Sequence, residues 1–236
     1  MTRAIGEPVP TIRQPLRVEL YFLAHNDAGE PLAHHRALSV ALAGAVLADL
    51  AAPVAHVQVV YGQVLVRTWQ LTGDPVADWA LRVLQAHRTP PVAHDAERRP
   101  LMLRDAVREL AVAAHERTRA GLIAGDLVRE VVRRRLVGTK VRTYPPTDDR
   151  VIPRVRGRLR SVLTGFTNPD WQTDALGGMI RALDLVSELY LDEADLDIPA
   201  LLGGMVDRVG QLYPAVQEII AATDELVAEA AVSVYG

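Results

Sequence analysis

Apolar residues first fall into a helical rhythm at Leu16. In LRVELYFLAH, Leu16, Leu20 and Leu23 share one face, which predicts a short amphipathic helix ended by the turn-forming NDAGEP, Asn26 to Pro31. The next stretch, ALSVALAGAVLADLAAPVA (Ala37 to Ala55), has hardly any polar face. It carries Asp49 and is stopped by Pro53, which leaves about sixteen helical residues against the about 20 that a bilayer span needs. A buried central helix built of small residues is therefore expected.

The period then changes. HVQVV and QVLVRT alternate around Tyr61-Gly62, the pattern of a short hairpin. In TGDPVADWALRVLQAH, Asp74 stands where an N-cap belongs and Pro75 at the first helical position. A connector containing prolines follows, from Thr89 to Pro100. Leu101 to Ala124 reads as one long helix, with Leu103, Val107, Leu110 and Ala114 facing inward. Arg104, Arg108, His115 and Arg119, spaced four, seven and four apart, make a second stripe on it. VVRRRLVGTKVRTYPP predicts a second hairpin, turning at Gly138-Thr139.

Thr147 or Asp148 is placed to cap the following helix, whose apolar face is Val151, Ile152, Val155, Leu159, Val162 and Leu163. NPDWQTDALGGMIRALDLVSELYL predicts another helix, with Leu176, Ile180, Leu183 and Val186 inward and Gly177-Gly178 permitting close packing. The acidic C-terminal part is helical, with breaks expected near Gly203-Gly204 and before Pro214. The fold class is mainly α, a single helical domain (16–236) around a buried small-residue helix, with two short β-hairpins. Residues 1–15 hold three prolines and no signal-peptide core, and read as a flexible arm on a cytoplasmic protein.

Composition supports this reading. Apolar residues make up 49% and aromatics only 5%, which favours helices packed through Ala, Leu and Val. The absence of cysteine excludes disulfides and thiolate chemistry. Charge is distributed unevenly. Arg117 to Arg160 holds thirteen cationic and four acidic side chains, a net of +9 in a chain of net charge −3, which leaves −12 for the remainder. Lys140 is the single lysine. Arg forks onto phosphate oxygens with paired donors, so an arginine-rich region points towards a phosphate-bearing partner. The hairpin adds Leu136 and Val137 near its tip to Arg133, Arg134, Arg135, Lys140 and Arg142 on its arms. An apolar tip between cations suits the lipid headgroup layer, and equally a second subunit.

Catalytic patterns are missing. The seven histidines show no HExxH or ligand-like spacing, and no GxSxG, GxGxxG or phosphate-binding glycine loop occurs. Asp192, Glu193, Asp195 and Asp197 lack the glycine and terminal Glu of a calcium loop. No enzyme activity, cofactor or metal is expected.

In order, LRVELYFLAHNDAGEPL, ALSVALAGAVLADLA, TGDPVADWALRVLQAHRTPP, ERTRAGLIAGDL, the basic hairpin closing in RTYP, and NPDWQTDALGGMIRALDL resemble the Golgi phosphoprotein 3 family in its bacterial, actinobacterium-like form. The resemblance runs from about Leu16 to Leu189, and TGDP…D…AL is its most specific part. It implies a largely helical, non-catalytic protein peripheral to membranes. Eukaryotic members bind phosphatidylinositol 4-phosphate and the cytosolic tails of Golgi glycosyltransferases. The family's headgroup residues, a Trp and three Arg, fall on His34, Ala43, Val112 and His115, so none of the four is retained. His35 and Arg36 stand beside the first, and Arg108 and Arg119 one turn either side of the last two. His35, Arg36, Arg108, His115 and Arg119 are thus the candidate anion-binding set. The expected partners are an anionic phospholipid or phosphoinositide, a membrane-protein client, and a second copy of the chain through the hairpin. A nucleic-acid-binding regulator and a protein-interaction scaffold, using the same basic surface, are the alternatives; the −12 remainder argues against DNA.

Overall fold

The computed structural model describes residues 13–68, 70–87, 101–134, 140–191 and 196–235. Its helices are α1 (Leu16–Leu23), α2 (His35–Ala51), α3 (Pro75–Ala86), α4 (Leu103–Ala111), α5 (Ala114–Ala124), α6 (Val151–Leu163), α7 (Trp171–Ala182), α8 (Ile198–Leu212) and α9 (Pro214–Tyr235). Two antiparallel hairpins complete it, β1–β2 (Val57–Val60, Gln63–Val66) and β3–β4 (Lys140–Thr143 pairing with Val131–Arg134). The protein is mainly helical, as its periodicities predict, and among the described residues no helix is long and apolar enough to cross a membrane.

The core is built around α2. Every residue from Ala37 to Ala48 is buried, and α1, α3, α4, α5 and α9 pack around the helix. Small side chains permit this crowding. A β-carbon on Gly44 would overlap the hydroxyl of Thr223 on α9, and that hydroxyl donates to the Ile219 carbonyl at 2.7 Å. Gly177 and Gly178 do the same for α7: a β-carbon on either would press on Met205 of α8 (2.8 Å) or on Val206 and Ile220 (2.9 Å). Leu38, Leu42, Leu47 and Leu50 are essentially inaccessible to solvent, each contributing about 1.5–3 kcal/mol of burial.

α1 is not the amphipathic helix its leucine spacing suggests. All eight of its residues are buried, Arg17 and Glu19 included. A charge survives burial only when it is paired and hydrogen-bonded, and both are. Arg17 reaches Asp49 of α2 at 3.1 Å and also Asp74. Pro15 has no side chain with which to cap α1, so Asp49 supplies the cap by accepting from the Leu16 and Arg17 N–H groups at 2.8 and 3.3 Å. Burial pushes the Asp49 carboxyl up to about 6, against the pull of Arg17 and those two N–H groups. Asp74 caps α3 through Val76 and Ala77 (2.9 and 3.0 Å), with Pro75 at its start as expected. Glu19 pairs with Arg158 of α6 and, at 3.7 Å, with Arg13.

The first hairpin turns at Tyr61 and Gly62, both at positive φ (52° and 72°), the geometry that matches strand twist in a two-residue turn. The Leu103 N–H donates to the Gly62 carbonyl at 2.8 Å, which fastens the hairpin to the start of α4. Gly29 (φ 75°) has no room for a β-carbon against the Tyr144 backbone, so the loop after α1 rests on the end of the second hairpin.

Several boundaries differ from the sequence reading. The long helix divides at Val112 and Ala113, where the Val112 and Ala113 N–H groups bond three residues back (3.3 and 3.1 Å) and the chain re-aims so that both α4 and α5 face α2. α6 begins only at Val151 and lacks a side-chain cap: Thr147 donates to the Asp126 carbonyl instead, and Asp148 accepts from the Arg150 N–H at 3.0 Å. α7 ends at Ala182 rather than running to Leu191, because Asp184 takes a positive φ (54°) and turns Leu185 inward. α8 runs straight through Gly203-Gly204; Asp197 caps it at the Ala200 N–H (3.1 Å), and its buried face outweighs the about 1 kcal/mol lost per glycine. The break before Pro214 is present. The connector up to Pro100, and Asp192, Glu193 and Asp195, lie outside the described residues. So does the arm to residue 12, while Arg13 is held by Asp170 and Thr173.

Two substitutions test this packing. Arg17→Met leaves the Asp49 charge buried without its partner and lowers the unfolding free energy by about 3–5 kcal/mol, read by urea denaturation. Gly44→Ala destabilises by about 1–3 kcal/mol despite alanine's better helix propensity. Adding Thr223→Ala recovers part of that loss; no recovery would show that the α2–α9 contact is not what Gly44 serves.

Candidate functional site

A cleft of about 420 Å³ opens where the start of α2, the end of α4 and the last turns of α9 meet. Three of the five anion-binding candidates line it: His35 and Arg36 from the first turn of α2, and Arg108 from α4. Val40, Ala111, Val112, Leu226 and Ala230 supply an apolar wall, and Glu229 the opposing charge. The positive end of a 17-residue helix dipole stands at this mouth. Val112, at the bend between α4 and α5, is 86% exposed, an apolar side chain presented at the rim.

Arg108 of the cleft and its neighbour Arg104 on α4 are matched by carboxylates. Arg108 pairs with Asp105 (3.2 Å) and Glu229 (3.1 Å), and Arg104 with Glu225 and Glu229. Arg108 first, then Arg104, holds the Glu229 carboxyl below its usual range. The three pairs with Glu225 and Glu229 bridge α4 to α9 and are invisible to local sequence patterns, which show only the Asp105–Arg108 pair.

The other two candidates sit elsewhere. His115 is only 7% exposed and does not belong to a solvated stripe. Its ring is the inner member of a pile: Tyr21 stacks on His25 (centroids 4.0 Å), His25 lies parallel to His115 (5.8 Å, 3°), and His35 meets His115 edge-on (4.9 Å, 87°). The His25 Nδ1 contacts the Tyr21 carbonyl at 2.7 Å. Burial drives both imidazoles down, His25 to about 4 and His115, with help from His25 and His35, to about 3. His115 is therefore uncharged at neutral pH and adds nothing to a cationic site. Arg119 does not line the cleft; it pairs with Glu116 and covers the Tyr144 ring at 4.4 Å.

In the second hairpin, Val132 and Lys140 are exposed, and exposed Arg142 pairs with Glu130 at 3.3 Å. Arg135, Leu136 and Val137 lie outside the described residues, and Arg133 and Arg134 are described in backbone only, opposite Val141 and Lys140. Further along the basic segment, Arg154 pairs with Asp148 (3.5 Å), Arg158 with Glu19, and Arg117 lies over Trp79 (5.7 Å). The +9 already counts Glu130 and Asp148, while Arg119 and Arg158 take carboxylates from outside the segment, Glu116 and Glu19.

The sequence reading, which looked for local spacing, missed a grouping made by the fold. His35, His115 and Glu116 each bring one ligand-type atom within 4.8 Å of the others. Its one sequence signal is Glu116 beside His115; nothing in spacing links them to His35.

A small-residue helix enclosed by helices, with two antiparallel hairpins and a cleft of mixed cationic and apolar lining, defines a mainly helical class of protein. The family model for Golgi phosphoprotein 3 (GPP34) matches residues 16–229, nearly the whole chain. The protein belongs to the Golgi phosphoprotein 3 family, whose function is in general Golgi- and lipid-associated. No curated protein matches it closely enough to serve as a relative.

Glu229 is the internal competitor for any anion in the cleft. Glu229→Gln is expected to tighten binding of a small polyanion such as pyrophosphate several-fold by isothermal titration calorimetry. Identical titrations for variant and parent would show that the α9 carboxylate does not guard the site.

Proposed function

We propose that the protein is a non-enzymatic, peripheral membrane protein that takes the phosphate headgroup of an anionic lipid into the cleft between α2, α4 and α9. One observation carries this reading: Arg36 and Arg108 stand at the mouth of a cleft whose wall is apolar and whose rim ends in exposed Val112. Arginine offers paired donors to phosphate oxygens, and the helix start of α2 favours the same charge. The apolar wall suits the glycerol and first methylenes of a lipid, which a free anion would leave unsatisfied.

Family membership supports the same region. The positions that the resemblance assigns to headgroup binding include Val112, which lines the cleft, His34, which precedes its first residue, and His115, packed edge-on behind His35. The chemistry at those positions has changed, and Arg36 and Arg108 supply the guanidinium groups instead. A phosphoinositide is one ligand of this kind, and a bacterial phosphatidylglycerol-type lipid another. Exposed Val132 and Lys140 on the second hairpin give a further contact, either with the headgroup layer or with a second copy of the chain. A membrane-protein client would then meet the surface already held at the bilayer.

Co-sedimentation with vesicles separates the alternatives. Binding is expected for phosphatidylcholine vesicles doped with an anionic lipid and not for phosphatidylcholine alone. A cation near an anionic surface contributes about 1 kcal/mol, so reversing one charge in Arg36→Glu weakens binding by about 2 kcal/mol, roughly 30-fold. Unchanged binding in that variant removes the cleft from the account. Duplex DNA binding with a steep salt dependence and no vesicle binding would transfer the protein to the regulator class.

A further inference from the structure

The histidine pile contains an unanswered polar group. Both ring nitrogens of His115 are buried and have no hydrogen-bond partner. Leaving a buried polar atom without a partner is costly, and here two lie on one ring, beside two other groups of the kind that bind metals. The Glu116 carboxylate divides its oxygens: Oε2 is engaged by Arg119, while Oε1 faces the His115 Nδ1 at 3.8 Å. His35 presents its ring edge-on to His115 from the start of α2.

We propose that His35, His115 and Glu116 form a site for a divalent first-row transition metal ion, with zinc the ion best suited to two imidazoles and one carboxylate. All three ligand-type atoms lie within 4.8 Å of one another. Tetrahedral ligands held about 2.1 Å from zinc are about 3.4 Å apart, so the site closes by a little over an ångström. His35 and Glu116 are exposed, with room to adjust, whereas His115 is fixed by its stack on His25 and Tyr21.

The electrostatics agree. Metal ligation needs a neutral imidazole with its lone pair available, and burial keeps His115 in that form. Glu116 supplies the negative charge, and Arg119, itself seated on Tyr144, holds the carboxylate in place from behind as outer-shell partners of metal ligands do. Three protein ligands leave a fourth position for water or an anionic oxygen. Calcium and magnesium are disfavoured, because they take oxygen ligands. The assignment uses no arginine of the cleft, and stands whether or not the cleft takes lipid.

The test uses tag-free full-length protein and no lipid. Titration with Co²⁺, as a spectroscopic stand-in for Zn²⁺, should give one equivalent of binding with visible d–d absorption, displaced by Zn²⁺ and abolished by EDTA. Zn²⁺ should also raise the melting temperature. His35→Ala and Glu116→Gln change exposed side chains and should leave the circular dichroism spectrum intact. Each should weaken metal binding by more than about 10-fold, the smaller of the losses seen for outer-shell partners. His115→Phe preserves the aromatic pile and should remove binding altogether. His87→Gln, away from the cluster, serves as the control and should bind as the parent does. No saturable equivalent in the parent, or binding lost in His87→Gln but kept in His35→Ala and Glu116→Gln, overturns the proposal.

Discussion

The fold depends on how two charges are kept inside it. α1 is fully enclosed, yet it carries Arg17 and Glu19, which would be prohibitive to bury alone. Arg17 spans Asp49 of α2 and Asp74 at the head of α3, while Asp49 also receives the first amides of α1. Three helix starts or flanks are thereby tied at one guanidinium. Glu19 draws in Arg158 from α6. Apolar burial decides that these helices pack; the ion pairs decide in which register, since a slip by one residue would strand a charge.

From that anchored α1 the rest of the site follows. Its last turn presents Tyr21, and the residues after it His25, as the floor on which His115 lies. His115 in turn sits behind His35, the first residue of α2 and a wall of the cleft. The cleft and the histidine cluster are thus neighbours that share one residue but differ in chemistry. One gathers guanidinium and apolar groups. The other gathers two imidazoles and a carboxylate.

Local chemistry made much of this legible. Asp74-Pro75 announces the start of α3, Tyr61-Gly62 the first hairpin, and the unbroken run of small residues the central helix, because each signal acts within a few residues of itself. What stayed hidden is tertiary. Nothing local reveals that Arg104 and Arg108 meet carboxylates 121 positions later, or that the stripe they share with His115 is broken by a bend at Val112. The periodicity of α1 was misleading for a related reason: Arg17 and Glu19 look solvent-facing until their distant partners are known. Gly203-Gly204 failed as a break because a capped helix with a buried face tolerates two weak residues.

The same ion pairs bear on how the chain is made. The cap of α1 lies 33 residues downstream, the second partner of Arg17 57 residues downstream, and the guanidinium that meets Glu19 139 residues downstream. Arg17 meets its carboxylates once α3 has begun, but Glu19 stays without its guanidinium until α6 has been made. Glu19 therefore stays hydrated until then, and the enclosed form of α1 is completed late, when α6 arrives.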